Sequence, residues 1–169
     1  MSKKISDLIT PDMAKKIALI SYTREQENLK ISSLCYDSRE VKKGAMFFAL
    51  PGLHTDGHQY IAQAIERGAQ AIVYENEEVP IQEGIAYIRV RDTRFAMSPL
   101  AAAFYDWPSR DLAVIGVTGT EGKSTTVYLI WQLLELCGKK AGFFSTVSYC
   151  IDGKERLNPE HFFNDTATT

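Results

Sequence analysis

The sequence has little of what secreted and membrane proteins need. Its three cysteines, Cys35, Cys137 and Cys150, are far apart and match no metal-binding or redox spacing. An odd, scattered set suits a reducing compartment, where thiols stay free. The start of the chain lacks the apolar core of a signal peptide, and runs such as residues 46–50 are too short to span a bilayer. We therefore expect a cytoplasmic protein with no membrane partner.

A strong excess of charge of one sign is also lacking. The net charge of −2 gives no electrostatic reason to expect nucleic acid as a partner, so a cation that contacts a phosphate must act locally. The contents of 45% apolar and 24% charged residues are typical of a soluble globular protein. At 169 residues the chain is longer than one small domain and short for two full ones. The sequence does not indicate an oligomeric state.

The first part of the chain alternates between strand-like and helix-like segments. Residues 46–50, 71–74 and 85–90 are short apolar runs that predict buried strands, and residues 61–68 have apolar positions at helix spacing. The order strand, helix, strand predicts an α/β layer with parallel neighbours.

A longer helix is predicted from Asp92 or Thr93, either of which can cap it. Pro99 lies inside this helix and is expected to kink it or to mark a later start. The segment 107–110 (Trp-Pro-Ser-Arg) then breaks the pattern. The sequence therefore predicts a first domain over residues 1–110 and a second from residue 111.

The second domain begins with the most regular pattern of the chain. Residues 112–117 predict an apolar strand, residues 118–123 a glycine-rich turn, residues 124–137 an amphipathic helix, and residues 141–149 a returning strand. This is the pattern of one βαβ unit, the first of a larger P-loop (Rossmann-like) sheet. The expected fold class is therefore α/β in both domains.

The turn between that strand and helix has the composition of a phosphate-binding loop. Unpaired N–H groups and the helix dipole at such a turn attract phosphate oxygens. Lys123 can reach the β- and γ-phosphates, and the Ser124 hydroxyl can ligate Mg²⁺. The standard spacing requires a glycine at Val117, whereas this chain has Gly116. The alternative is an ordinary glycine turn with a solvated lysine.

Two polar clusters occur in the first domain, at residues 37–39 (Asp-Ser-Arg) and 52–58. Alone, each is explained by turn formation, and Asp56 can equally cap the helix that follows. His54 and His58 are four residues apart, but Gly57 argues against a helix there, so we do not expect them to form a metal site.

Together these segments resemble the Mur ligases, the ATP-dependent amide-forming enzymes of bacterial cell-wall synthesis. Residues 116–126 resemble the loop signature of that family, which explains the shifted glycine, although the family usually has Asn at position 121 and Thr at 124. Residues 37–44 and 52–58 resemble its uridine-nucleotide domain. Residues 140–149, followed by 152–153 and 158–159, resemble its tripeptide-synthetase branch.

The resemblance implies an enzyme that joins an amino acid, expected to be a diamino acid, to UDP-MurNAc-L-Ala-D-Glu through an acyl phosphate, with ATP and Mg²⁺. The alternatives are the sister branch that adds D-Ala-D-Ala and a non-catalytic P-loop module. The residues implied are Gly119, Thr120, Glu121, Gly122, Lys123, Ser124 and Thr125 for ATP, with Lys123 catalytic and Ser124 on Mg²⁺, and Tyr36, Ser38, Leu53, His54 and Thr55 for UDP-MurNAc.

The last residues depart from that resemblance. Residues 162–169 lack the Thr-Thr-Pro motif that the family has after Asn-Pro-Glu-His, and they resemble translated sequencing-adapter read-through. We expect this tail to be foreign and the gene to be truncated. The family's remaining magnesium ligands, its modified lysine and its C-terminal domain would then be missing, so the polypeptide alone is expected to be inactive.

Overall fold

The computed structural model describes residues 2–52 and 55–158. The chain forms two compact units, Met1–Ala113 and Val114–Thr169. Two positions implied in substrate binding, Leu53 and His54, and the tail at residues 162–169 lie outside the described residues. Within the described part, no helix has the length and apolar character needed to cross a membrane.

The first unit is built on a five-stranded sheet in the order β2-β7-β6-β5-β4. Strands β4 to β7 are parallel, and β2 pairs antiparallel with β7. The predicted strands at 46–50, 71–74 and 85–90 and their parallel arrangement are confirmed. The bounds are β1 Lys3–Lys4, α1 Ile5–Leu8, α2 Pro11–Lys16, β2 Leu19–Tyr22, β3 Lys30–Ile31, β4 Ser33–Cys35, β5 Ala45–Phe48, α3 Ile61–Glu66, β6 Ala69–Tyr74, β7 Ala86–Val90 and α4 Thr93–Phe104.

The central strands of this sheet are buried on both faces. All four residues of β5 are buried: Phe48 packs in the cluster that contains residues of α1, α2 and α4, whereas Phe47 packs in the cluster that contains residues of α3. Alternate side chains of a strand point to opposite faces, so helices on both sides bury the whole strand. This explains why these strands read as continuous apolar runs.

The predicted helix after the last strand of the sheet is α4, and it begins where the cap was expected. The Asp92 carboxylate accepts a hydrogen bond from the Phe95 amide (2.8 Å). The prediction of a later start at Pro99 is wrong, because the helix runs from Thr93 through Pro99 to Phe104. Ala96, Leu100 and Phe104 of this helix are buried. The free energy of their packing outweighs the local cost of a proline in a helix.

The second unit contains one long helix and a small antiparallel sheet. The predicted helix at 124–137 is confirmed, and it ends at the left-handed Gly138 (φ 70°). The sheet has the order β10-β9-β8. The bounds are α5 Lys123–Leu136, β8 Phe143–Phe144, β9 Ser148–Ile151 and β10 Lys154–Leu157.

The predicted strand at 112–117 and the βαβ unit built on it are wrong for the described structure. Residues 112–117 form no strand, and Val114 and Ile115 are 74% and 60% exposed. The predicted returning strand at 141–149 is divided into β8 and β9, which pair antiparallel. A strand needs a partner for its backbone hydrogen bonds. Because β8 pairs with β9, residues 112–117 have no neighbouring strand with which to form backbone hydrogen bonds.

Candidate functional site

The carboxyl ends of strands β4 to β7 form one edge of the parallel sheet. In open α/β sheets, ligands bind in the crevice outside this edge. Tyr36 follows β4 directly and is 49% exposed, and Ser38 lies two residues further on. Thr55 is exposed in the segment after the neighbouring strand β5. The topology therefore brings Tyr36, Ser38 and Thr55 to the same edge of the sheet.

The Ser38 side chain is buried rather than open to a ligand. Its residue exposure is 7%, and its hydroxyl donates a hydrogen bond to Oε1 of Gln63 on α3 (2.6 Å). Gln63 was missed by the sequence analysis, because an amide on a short helix gives no signal that it meets a residue 25 positions away. A contact of Ser38 with substrate would therefore use its remaining oxygen lone pairs or its backbone.

Asp37 holds the turn that presents these residues. Its carboxylate accepts from the Arg39 amide (2.9 Å) and forms an ion pair with the Arg39 guanidinium (2.6 Å), so the expected turn role is confirmed. The side-chain hydrogen bond from Arg39 lowers the pKa of Asp37, although burial opposes it. A lowered pKa means that folding favours the ionised carboxylate.

This pKa shift predicts a loss of stability in acid. The contribution of Asp37 is fully present above the ordinary aspartate pKa, about 3.9, and is lost as the pH falls through the lower folded value. We expect Asp37→Asn to destabilise the chain in urea unfolding at pH 6, and the difference from the unsubstituted chain to shrink below about pH 4. Asp111→Asn, at an exposed residue, is the matched control. A difference that stays constant down to about pH 2.5, roughly one pH unit below the mean aspartate pKa of folded proteins, would contradict this assignment.

The segment around Asp56 is also held by backbone contacts. Asp56 accepts from the His58 amide (3.0 Å) and caps the turn Gly57–Tyr60, so the capping interpretation is confirmed. The Arg94 guanidinium donates to the Pro51 carbonyl (2.9 Å), which places a cation beside the segment after β5. Arg94 was not identified from the sequence, since a lone arginine in the first turn of a helix carries no signal.

The predicted phosphate loop enters α5 through two glycines with positive φ. Gly119 has φ 152° and Gly122 has φ 72°, and the helix begins at Lys123. The Lys123 ammonium folds back and donates to the carbonyls of Gly119 (2.7 Å) and Thr120 (3.2 Å). A lysine directed to its own loop lies where it can exchange these carbonyls for phosphate oxygens.

A second hydroxyl lies next to Ser124. The distance between Ser124 Oγ and Thr146 Oγ1 is 3.1 Å, and Thr146 belongs to the turn between β8 and β9. The Asn158 side-chain amide donates to the carbonyls of Ser145 (3.2 Å) and Thr146 (3.3 Å) and holds this turn. Sequence analysis did not identify Thr146 and Asn158 as site residues, because only the fold brings Thr146 to Ser124 and Asn158 to the turn that carries Thr146.

The oxygen donors at this place suit Mg²⁺ better than a softer metal. Mg²⁺ prefers oxygen ligands and is held in nucleotide sites by few protein groups together with substrate phosphates. Ser124 and Thr146 supply two hydroxyl oxygens. The described residues contain no group of three or more His, Cys, Asp or Glu side chains that could hold a metal ion by themselves. The donor set therefore fits a magnesium ion that arrives with a nucleotide.

Comparison with known proteins gives one consistent family. Residues 30–105 match the Mur ligase family, catalytic domain. The UDP-N-acetylmuramyl-tripeptide synthetase of Treponema denticola is 55% identical over 139 residues, which are 81% of this chain and 26% of that protein. The UDP-N-acetylmuramoyl-L-alanyl-D-glutamate–2,6-diaminopimelate ligase of Cytophaga hutchinsonii is 42% identical over 85% of this chain and 29% of its own length. The chain thus spans about a quarter of the length of these relatives.

Solved structures agree with the fold. A crystal structure of MurF from Acinetobacter baumannii has a TM-score of 0.62 and 28% identity, and covers 80% of this chain and 28% of that one. The MurF ligase from Thermotoga maritima, solved in complex with ADP, has a TM-score of 0.51 and 30% identity, and covers 62% of this chain and 23% of that one.

Proposed function

The chain belongs to the Mur ligase family, and on that premise we propose that it forms the uridine-nucleotide site and the phosphate loop of an ATP-dependent ligase that acts on UDP-MurNAc-L-Ala-D-Glu. The observation that carries the proposal is the loop at residues 119–124, with Lys123 and the Ser124–Thr146 hydroxyl pair at the start of α5. The added residue is an amino acid, and a diamino acid agrees with the name of the Cytophaga hutchinsonii relative.

The first role of this site is to hold the triphosphate of ATP. Backbone N–H groups of the loop and the first turn of α5, at residues 119–125, face the phosphates, and the helix dipole favours their charge. Lys123 leaves the loop carbonyls and contacts the β- and γ-phosphates. Ser124 would hold Mg²⁺, and the bound ion would neutralise charge on the phosphates.

The chemistry begins at a carboxylate that is a poor electrophile. Transfer of the γ-phosphoryl group to the D-Glu side-chain carboxylate gives an acyl phosphate and ADP. The amine of the incoming amino acid then attacks the acyl carbon, and phosphate leaves as the amide forms. Lys123 stabilises the charge on the moving phosphoryl group, which is the electrostatic part of the catalysis.

The uridine diphosphate part is assigned to the carboxyl edge of the first unit. Tyr36, Ser38 and Thr55 lie there, and the exposed Tyr36 ring is available to stack on a base. Leu53 and His54 remain assigned by the family resemblance alone. We assign residues 1–110 to substrate binding and residues 111–161 to the start of the ATP-binding domain.

A chimera tests this function. Residues 1–158 replace the matching part of the Treponema denticola relative, and ATP-dependent consumption of UDP-MurNAc-L-Ala-D-Glu is measured with a diamino acid. We expect amide product and ADP in equal amounts. Tyr36→Ala is expected to raise the KM for the uridine nucleotide, whereas Tyr105→Ala, also at an exposed tyrosine, serves as the control. A folded chimera that binds ATP but forms no amide would favour a non-catalytic P-loop module.

A second candidate is the sister branch that adds D-Ala-D-Ala. It is favoured by one observation, the similarity to the two MurF structures at 28% and 30% identity. The tripeptide-synthetase relative is more similar, at 55% identity. In the same chimera, consumption of UDP-MurNAc-tripeptide with D-Ala-D-Ala and not of the dipeptide substrate would favour the sister branch.

A further inference from the structure

The His58 imidazole is buried and has hydrogen-bond partners at both ring nitrogens. Its side chain is 7% exposed. The amides of Glu75 and Asn76 both approach Nε2 (3.1 and 3.3 Å), and Nδ1 lies 2.6 Å from Oδ1 of Asp56. Backbone N–H groups can only donate, so Nε2 must accept and carries no proton. The proton of the neutral ring is therefore on Nδ1, which donates to Asp56.

These contacts join two segments at the carboxyl edge of the sheet. One is the loop after β5, which is closed at its base by a bridge between Pro51 and Asp56 and by the hydrogen bond from the Gly57 amide to the Leu50 carbonyl (2.9 Å). The other is the segment that begins at Glu75, directly after β6. His58 thus connects the ends of two neighbouring parallel strands through hydrogen bonds.

The base of the loop has no room for adjustment on the side of β5. A Cβ on Gly57 would lie 2.7 Å from both the nitrogen and the oxygen of Leu50. Close backbone packing of this kind transmits a displacement of His58 to the loop, because interiors are close-packed and do not deform freely. The same loop carries Thr55, which is assigned to the uridine nucleotide.

We propose that His58 is a positioning residue that fixes Thr55 at the uridine-nucleotide site while its imidazole is neutral, so that the affinity for the nucleotide falls in mild acid. This inference rests on the proposed function, because Thr55 is taken to contact the uridine nucleotide. His58 itself does not touch the substrate: both ring nitrogens are engaged with the protein.

The two amide donors at Nε2, rather than the charges around the ring, determine the direction of the pH effect. Asp56 faces Nδ1, and Glu78 lines the same small cleft as His58. The Glu75 carboxylate is engaged by the Thr93 amide (2.7 Å) at the start of α4. Protonation at Nε2, however, would place an N–H against the two amide N–H groups of Glu75 and Asn76. These two donors would lose their acceptor, and the hydrogen bonds between the two segments would break as the pH falls.

Two variants separate the acceptor role from the titration. His58→Gln can place an oxygen near the position of Nε2 and does not titrate, so it keeps an acceptor for the two amides. His58→Asn reaches only the position of Nδ1, so it keeps a donor to Asp56 but no acceptor. The affinity of the 169-residue chain for UDP-MurNAc-L-Ala-D-Glu is measured by calorimetry from pH 8 to pH 5, the range in which histidine changes its charge.

For the unsubstituted chain we expect the affinity to fall roughly tenfold from pH 8 to pH 5, the scale of one lost hydrogen bond. His58→Gln is expected to bind with the same affinity across this range, and His58→Asn to bind weakly throughout. Thermal unfolding of each variant establishes that it is folded. Affinity for ATP, which binds to the other unit, is the internal control and should not depend on these variants.

The tautomer provides an independent readout. In a long-range ¹H–¹⁵N spectrum at pH 8, the imidazole signal that disappears in His58→Gln is expected to have its proton on Nδ1. A proton on Nε2, or a His58→Gln chain whose affinity falls with pH as the unsubstituted chain does, overturns the inference alone. No binding of the uridine nucleotide by the unsubstituted chain at pH 8 overturns the inference together with the substrate assignment on which it rests.

Discussion

Replacing Lys123 with methionine is expected to lower the affinity of the chain for Mg²⁺-ATP by about 10- to 100-fold. The substitution keeps an unbranched side chain of similar length and removes the ammonium, which in the structure donates to the carbonyls of Gly119 and Thr120. Hydrogen bonds to charged groups contribute about 1.5–3 kcal/mol, and about 1.4 kcal/mol corresponds to a factor of ten. Titration with a fluorescent ATP analogue measures the change.

The matched control is Lys139→Met, which removes the same charge from an exposed residue beyond the end of α5. Because Lys139 lies at the opposite end of the helix from the loop, its loss should change the affinity less than about twofold, an effect within 0.5 kcal/mol. Equal losses in the two variants would mean that net charge, and not the position of Lys123, determines binding. The assignment of the phosphate loop would then be wrong.

Phe48→Ala is expected to destabilise the first unit by about 3–5 kcal/mol. Phe48 is 1% exposed on the inner strand β5 and packs in the cluster that contains residues of α1, α2 and α4. Its removal leaves a cavity that the surrounding strands cannot fill, because β5 is bonded to β4 on one side and to β6 on the other. This loss is a large fraction of the 5–15 kcal/mol stability, roughly, of a typical domain.

The two tryptophans of the chain allow the stability of the first unit to be measured separately from that of the second. Trp107 belongs to the first unit and Trp131 to the second, so in a Trp131→Phe background the fluorescence of Trp107 follows the first unit alone. Phe95→Ala is the matched control, since Phe95 lies on α4 and is 62% exposed. We expect its urea midpoint to stay close to that of the background. A urea midpoint for Phe48→Ala close to that of the Trp131→Phe background would contradict the burial of the Phe48 side chain.

Patterns along the chain predicted the elements whose signal lies in neighbouring residues. Strands β5, β6 and β7 were found because helices on both faces bury them, which leaves runs such as Met46 to Phe48 without polar residues. The cap at Asp92 was found because capping is a contact between neighbours. The short elements before Ser33 gave no such signal, since β2 pairs with β7 at positions as distant as Leu19 and Val90.

The same reasoning explains the failure at residues 112–117. Apolar composition indicates that a segment can be a strand, but a strand exists only where another strand supplies hydrogen-bond partners. In the second unit β8 pairs with β9, and Val114 and Ile115 remain exposed. The Pro99 prediction failed for the converse reason, because packing of α4 on the core outweighed a local preference.

The sequence by itself determined the glycine loop before α5, the alternating α/β order of the first unit and the resemblance that led to a ligase. Each of these depends on residues that are adjacent or at short, regular spacing. Only the tertiary structure brought Thr146 to Ser124, joined Gln63 to Ser38 and set Nε2 of His58 against the end of β6. Those contacts join residues that are distant in the chain or belong to different elements, and their geometry is set by how strands and helices pack rather than by any local pattern.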